Sequence, residues 1–522
     1  MLKKIKISLL FFVLSCSWVF AQAPHDWQNY NPNTDKIAGV ASDSAYSQLL
    51  TKMTSSTVIV AVIDGGSDAA HPDLQNHIWV NEKEIPANGI DDDHNGYVDD
   101  INGWNFIGGA NGKNVDHDNL EITRLYREWH KKFANVDEKS LKGEEKEMYN
   151  AYVKLKFEYE DAYATAKTNY DQYSLLLLAV QKVNDDLGGK VTKEKLDAYK
   201  PTDDDGKTGK NIYDNFMTWG TAPEDVLGEM KDYVEQFDHQ ANYHYNLNYD
   251  PRSIVGDNYT DTSQHYYGNN DVKGPDALHG SHVAGIIGAN RDNRLGMNGI
   301  ADNVKLMIVR VVPDGDERDK DVANGIRYAV DNGAKVINMS FGKPYSPYKY
   351  LVDAAVKYAV AHDVLLVHAA GNDNKNNDKS NNFPCDVYRD KSGVAASWIE
   401  VGAIQPDFNP ADFSNYGKKN VDLFAPGTEI YSTVPDGQYQ NLQGTSMASP
   451  VCAGVAAMIR SYFPTLTAIQ VKECLMKSVY PVKQTVTMPG SGKKTKLSKL
   501  CVTGGVVNAY NAVKLAEKMT AK

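Results

Sequence analysis

The stretch Thr57-Val58-Ile59-Val60-Ala61-Val62-Ile63-Asp64-Gly65-Gly66 decides how this chain is read. An unbroken run of β-branched and small apolar residues suits a central parallel strand covered on both faces; a strand with one wet face would alternate. The run ends in an acid, Asp64, and a carboxylate at the carboxyl end of such a strand lies where open α/β sheets form their functional crevice. The alternative reading of Asp64 is an Asx-turn or a helix cap, common at strand exits.

Working outward, similar runs occur at residues 304–312, 334–341 and 364–372, with a helical pattern at 320–332. Strands separated by helices of this size predict an α/β, doubly wound, mainly parallel sheet. The run at 364–372 ends in the side-chain amide of Asn372. In Asp276-Ala277-Leu278-His279-Gly280-Ser281-His282, His279 opens a helix of small residues that permits close packing on a strand. The stretch Gln443-Gly444-Thr445-Ser446-Met447-Ala448-Ser449-Pro450 precedes an apolar, Ala-rich run, which puts Ser446 on the turn that starts a buried helix. That location offers unpaired N–H groups to negative charge developing on a substrate oxygen. An ordinary Ser N-cap is the alternative. The topology gathers Asp64, His279, Asn372 and Ser446 on one face of the sheet.

Between Asp64 and His279 the character changes twice. Asp91, Asp93 and Asn95 alternate before Gly96, followed by the Tyr97 carbonyl and Asp99, an oxygen-ligand spacing that fits calcium. Asn102 stands at position twelve in place of a bidentate Glu, and a solvated acidic turn is the competing reading. Residues 116–250 read as an inserted α-helical hairpin: one long helix over 143–186, a polar linker containing Asp203-Asp204-Asp205-Gly206, and a second helix over 223–238. Its tyrosine stripe, including Tyr152, Tyr159, Tyr170 and Tyr173, reads as hairpin core, with a binding surface as the alternative.

The 522 residues, 42% of them hydrophobic, can bury a large core. A net charge of −12 without a polybasic cluster beyond the extreme N-terminus argues against a nucleic-acid partner. Residues 1–21 read as a signal peptide: Lys3, Lys4 and Lys6, an apolar run, then Val19-Phe20-Ala21. Lipidation at Cys16 is a weaker fit, because the apolar run continues past it. Export to the periplasm, the medium or the cell surface is therefore expected. No later segment reaches the roughly 18 apolar residues of a membrane span. Of the remaining cysteines, Cys452 reads as a small buried hydrophobe, and Cys474 with Cys501 is the expected pair if a disulfide forms.

Asp64 in Ile-Asp-Gly-Gly, His279 in His-Gly-Ser-His-Val-Ala-Gly and Ser446 in Gly-Thr-Ser-Met-Ala-Ser-Pro resemble, in order, the three signature segments of the subtilisin-like serine proteases, the subtilases. The resemblance spans residues 58–458 apart from the insertion, and it implies a subtilisin-like catalytic domain at 57–115 and 251–515 behind an N-terminal segment at 22–56. It implies a serine endopeptidase acting on polypeptides, with Ser446 as nucleophile, His279 as general base, Asp64 as orienting acid and Asn372 as oxyanion donor. Ser281, His282 and Thr445 match supporting positions. Ser340, Phe341 and Gly342 correspond to the family's substrate-binding strand, with Ala370 and Gly371 lining the pocket beside it. Neither segment carries a charge, which points to uncharged, apolar substrate side chains. Gly65 replaces the usual Ser or Thr, Ser281 the usual Thr, and residues 22–56 leave little room for a folding propeptide. Two readings from other classes are a catalytically silent peptide-binding protein and a calcium-dependent adhesion or scaffold protein built on the tyrosine-rich hairpin.

Overall fold

The computed structural model describes residues 23–521; residues 1–21, read as a signal peptide, lie outside the described residues. The first strand, β1 (Val58–Asp64), is buried along nearly its whole length, as its unbroken apolar run requires. It pairs in parallel with β3 (Val304–Arg310) on one edge and β4 (Val336–Met339) on the other. Outside β3 lies β2 (Gly103–Asn105); beyond β4 come β5 (Leu365–Ala369), β6 (Trp398–Ile404) and β7 (Leu423–Pro426). A hairpin of β8 (Ile430–Val434) and β9 (Gln438–Leu442) and a smaller one of β11 (Thr485–Thr487) and β12 (Lys494–Lys496) stand apart. β10 (Tyr480–Pro481) and β13 (Gly505–Val506) complete a nine-stranded sheet in the order β10-β13-β7-β6-β5-β4-β1-β3-β2. The connections leave β1 in opposite directions, so the switch point of the sheet lies beside Asp64.

Helices cover both faces. Leu278–Gly288 and Thr445–Tyr462 close one core with Val60, Val62 and Val401. Asp319–Asp331 and Lys349–Ala361 close the other with Ala61, Ile63 and Trp398. The segment before β1 is integrated into the domain. Trp27 is fully buried and its indole N–H donates to the Thr428 carbonyl at 3.1 Å.

The expected hairpin is a larger helical unit. The long helix spans Gly143–Asp186, matching the predicted bounds, and its 44 residues extend ~66 Å at ~1.5 Å per residue. Preceding it is Glu121–Phe133, and Lys193–Ala198, Asp204–Thr218 and Val226–His239 follow it. The acidic run read as a linker is a helix start: Asp203 accepts the Gly206 N–H at 2.7 Å, and Asp204 and Asp205 complement the dipole of the first turn. The tyrosine stripe is partly core, because Tyr152 and Tyr159 are buried and Tyr126 stacks on Tyr159 with centroids 4.4 Å apart.

The expected Cys474–Cys501 disulfide is absent. Cys385, Cys452, Cys474 and Cys501 are all free. Each sulfur of the expected pair is engaged separately: Cys474 donates to the Ala512 carbonyl at 3.1 Å, while Cys501 accepts the Gly504 N–H at 3.2 Å.

Candidate active site

Asp64 is buried, and its Oδ1 accepts from His279 Nδ1 at 2.7 Å and from the Gly65 N–H at 2.8 Å. The contact depends on glycine at two places. Gly66 adopts φ +124°, and a Cβ there would lie 2.3 Å from the Lys273 carbonyl oxygen. A Cβ on Gly280 would lie 2.1 Å from the Gly66 carbonyl oxygen, so only glycine lets the helix carrying His279 settle this close to the turn carrying Asp64. Among the described residues Asp64 Oδ2 is buried without a hydrogen-bond partner. The His279 side chain is 41% exposed, so a ligand can reach its far edge. Burial opposes its protonation, but the Asp64 carboxylate outweighs this and raises its pKa above the usual imidazole value.

Ser446 stands in the first turn of Thr445–Tyr462, where N–H groups lack intrahelical acceptors. Its hydroxyl donates to the Ser340 carbonyl at 3.1 Å. Pro450 has no N–H for the Ser446 carbonyl, its normal helical partner; the Ser340 hydroxyl donates to that carbonyl instead, at 2.9 Å. Ser340 in turn accepts from Asn338 Nδ2 at 3.0 Å, and Ser449 donates to Asn338 Oδ1 at 2.8 Å. The start of the helix is thereby fixed to the end of β4. Asn372 accepts both the Thr445 N–H and its hydroxyl at 2.9 Å through Oδ1, which leaves its exposed amide NH₂ end available to a ligand.

Of the expected substrate-binding residues, Ser340 is buried and acts through the contacts just described. Ala370 is also buried, with its carbonyl held by Asn377 and Asn415. Asn382 was missed by sequence reasoning. Its Oδ1 lies 2.4 Å from where a Gly342 Cβ would be, and its Nδ2 donates to the Ala369 carbonyl at 3.0 Å. Its side chain therefore fills space between the two segments expected to flank the substrate pocket. Behind it lies a cavity of about 320 Å³ lined by Asn377, Phe383, Tyr388 and Glu400.

Asp99, placed in the calcium set by sequence spacing, accepts the N–H groups of Asn88 and Gly89 through its two oxygens, at 3.2 and 2.9 Å. Glu84, outside the spaced motif, also converges: carboxylate oxygens of Glu84, Asp91 and Asp93 lie within 4.8 Å of one another, and the Glu84 oxygens accept the Asp93 and Asp99 N–H groups at 3.1 and 3.0 Å. Asp91 and Asp93 also accept the Asn95 N–H, at 3.0 and 3.1 Å, and Asn95 Oδ1 accepts the Tyr97 N–H at 2.8 Å.

The subtilase family profile matches residues 55–504, and the chain belongs to that family. Subtilisin DY of Bacillus licheniformis is 39% identical over 199 residues, covering 38% of this chain and 68% of that protein. An intracellular serine protease of Paenibacillus polymyxa is 35% identical over 249 residues, 46% of this chain and 72% of that protein. A solved protease structure from Pseudoalteromonas arctica PAMC 21717 shares 29% identity, with TM-score 0.40, over 48% of this chain and 78% of that one. The protein is a serine endopeptidase acting on polypeptides. Among the described residues no helix is long and apolar enough to cross a membrane.

The raised pKa of His279 carries a pH prediction. Asp64 stabilises the imidazolium, so a base on His279 works above the raised value and is lost as pH falls through it. The acid limb of kcat/KM is expected above pH ~6.5, the ordinary imidazole value. In Asp64→Asn the limb moves to lower pH and kcat drops about 10⁴-fold, read from pH–rate profiles on a peptide substrate.

Proposed function

We propose that the chain is an exported endopeptidase working through Ser446, His279 and Asp64, with Asn372 as oxyanion donor. The 2.7 Å Asp64–His279 contact, with His279 on a helix that packs against the helix bearing Ser446, is the observation that carries this reading. With substrate bound, the Ser446 hydroxyl leaves the Ser340 carbonyl for His279 Nε2, consistent with catalytic hydrogen bonds that tighten only in the complex. His279 takes the Ser446 proton as Oγ attacks the peptide carbonyl, then delivers it to the leaving amine. The oxyanion is met by the Asn372 amide and the Ser446 N–H. Water then hydrolyses the acyl-enzyme with His279 as base. Export rests on the basic and apolar residues at 1–21.

Calcium fits Glu84, Asp91 and Asp93, three carboxylates with converging hard oxygens, and its role is structural. Substrate side chains enter beside Gly342, Ala369 and Gly371, and Asn382 limits their size.

Incubation with casein and a serine-directed phosphonate is expected to give casein cleavage and a covalent label that disappears in Ser446→Ala. A folded wild type that takes no label would overturn the catalytic reading and leave a silent peptide-binding protein. Asn382→Gly is expected to raise kcat/KM for peptides with a large aromatic residue before the scissile bond relative to alanine, by about 10–200-fold. An unchanged ratio would remove Asn382 from the pocket. Calcium is expected to raise the Tm of chelator-stripped protein, and Asp93→Asn to abolish that rise; an equal rise in the variant would place calcium elsewhere.

A further inference from the structure

Away from the catalytic residues, three histidines converge on one carboxylate. His117 Nδ1 and His239 Nδ1 lie 2.7 and 2.8 Å from Asp314 Oδ2, and His244 Nε2 lies 3.0 Å from Asp314 Oδ1. They come from separate parts of the chain. His117 stands at the start of the insertion before its first helix, His239 ends helix Val226–His239, His244 lies in the turn after it, and Asp314 follows β3. The donor atoms of His117, His239 and Asp314 lie within 4.8 Å of one another. The imidazoles are mostly covered, with side chains 20%, 25% and 15% exposed for His117, His239 and His244. Tyr243 stacks on His117 with centroids 4.1 Å apart, which holds that ring in place.

The outer faces of the rings point the same way. His117 Nε2 is 3.7 Å from an Asp116 oxygen, and His239 Nε2 is 3.9 Å from a Glu235 oxygen. Metal-ligating histidines commonly have a carboxylate behind the non-ligating nitrogen, which fixes the tautomer and raises ligand basicity. In this cluster both Nδ1 atoms face the common centre while both Nε2 atoms face acids.

We propose that His117, His239 and Asp314 form a binding site for a divalent transition-metal ion of the zinc class, with His244 supporting Asp314 or completing the coordination. Imidazole nitrogen with one carboxylate suits zinc and excludes calcium as the preferred ion. Zinc–donor distances of about 2.0–2.2 Å place neighbouring tetrahedral donors roughly 3.4 Å apart, so Asp314 moves back by about half an ångström. Each ligating Nδ1 offers its lone pair, and the ring proton resides on Nε2, towards Asp116 or Glu235. The site would clip both ends of the insertion to the loop after β3, whose Arg310 pairs in register with Asp64. The proposal does not depend on which residues carry the proteolysis.

The test uses the full, tag-free Ser446→Ala chain to prevent self-digestion, stripped with EDTA and held in excess calcium chloride so that the acidic loop does not compete. Isothermal titration with zinc chloride is expected to show one ion per chain, and added zinc to raise the Tm. Asp314→Asn and His239→Gln, each checked for native circular dichroism, are expected to weaken binding at least about tenfold. Asp91→Asn is expected to bind zinc as before. If neither site variant folds, anomalous scattering at the zinc edge from soaked crystals locates the ion, and density between His117 and His239 supports the site. Absence of saturable binding, unchanged affinity in both folded variants, or zinc located elsewhere overturns it.

Discussion

The position of Asp64 depends on β1 being hydrogen-bonded on both edges and buried on both faces. A strand held this way cannot slip by one residue without sending its inward set to the wrong face, so its last residue has one location. The turn beyond it is held as firmly. Val311 N–H donates to the Asp64 carbonyl at 2.9 Å, and buried Arg310 donates to the Gly65 carbonyl at 2.7 Å and the Val115 carbonyl at 2.6 Å. Among the described residues Arg310 forms no ion pair, and burial lowers its pKa to about 10. Its charge is met by carbonyl dipoles and the Asn105 amide oxygen, so it braces the turn without competing for Asp64.

The helix bearing Ser446 is positioned by a different device. Proline inside a helix normally leaves a carbonyl without its donor, and in a buried helix that is costly. Here the freed carbonyl belongs to Ser446, and the Ser340 hydroxyl takes the missing donor's place. The proline thus creates the acceptor by which the sheet grips the helix in its first turn. The same Ser340 holds the Ser446 hydroxyl through its own carbonyl, so one residue fixes both backbone and side chain of Ser446.

The features legible in the sequence were those encoded locally. β1, the helix starting near His279, the Ser446 helix and the bounds of Gly143–Asp186 follow from uninterrupted runs or 3.6-residue periodicity. β6 escaped notice because Glu400 and Gly402 break its apolar run, although Glu400 is paired with His368 at 2.9 Å inside the core. β2 has only three residues, too few for a pattern. Asp204–Thr218 was hidden because an acidic N-terminal turn looks like a solvated linker when its helix is rich in glycine and charge. Asp314 meets His117 and His239 across long sequence separations, and Glu84 and Asn382 lie outside any spaced motif, so no local pattern marks them.

The insertion is joined to the catalytic domain by charge more than by grease. Lys343, directly after Gly342, is buried and bridges Glu121 at 2.9 Å and Asp319 at 2.8 Å. Arg318 holds Asp118 at 2.7 Å on the entry side and Asp250 at 2.9 Å on the exit side. Removing one partner of such a buried pair typically costs about 3–5 kcal/mol, although the intact pair adds little net stability over an apolar packing. What the network supplies is direction, because a guanidinium or ammonium accepts few geometries where an apolar contact accepts many. Both ends of the insertion are therefore set against Arg318, the entry side also against Lys343, and Tyr345 extends the connection to Glu158 on the long helix. The helical unit is oriented from Lys343 and Tyr345, which follow β4, so its position is tied to the end of that strand.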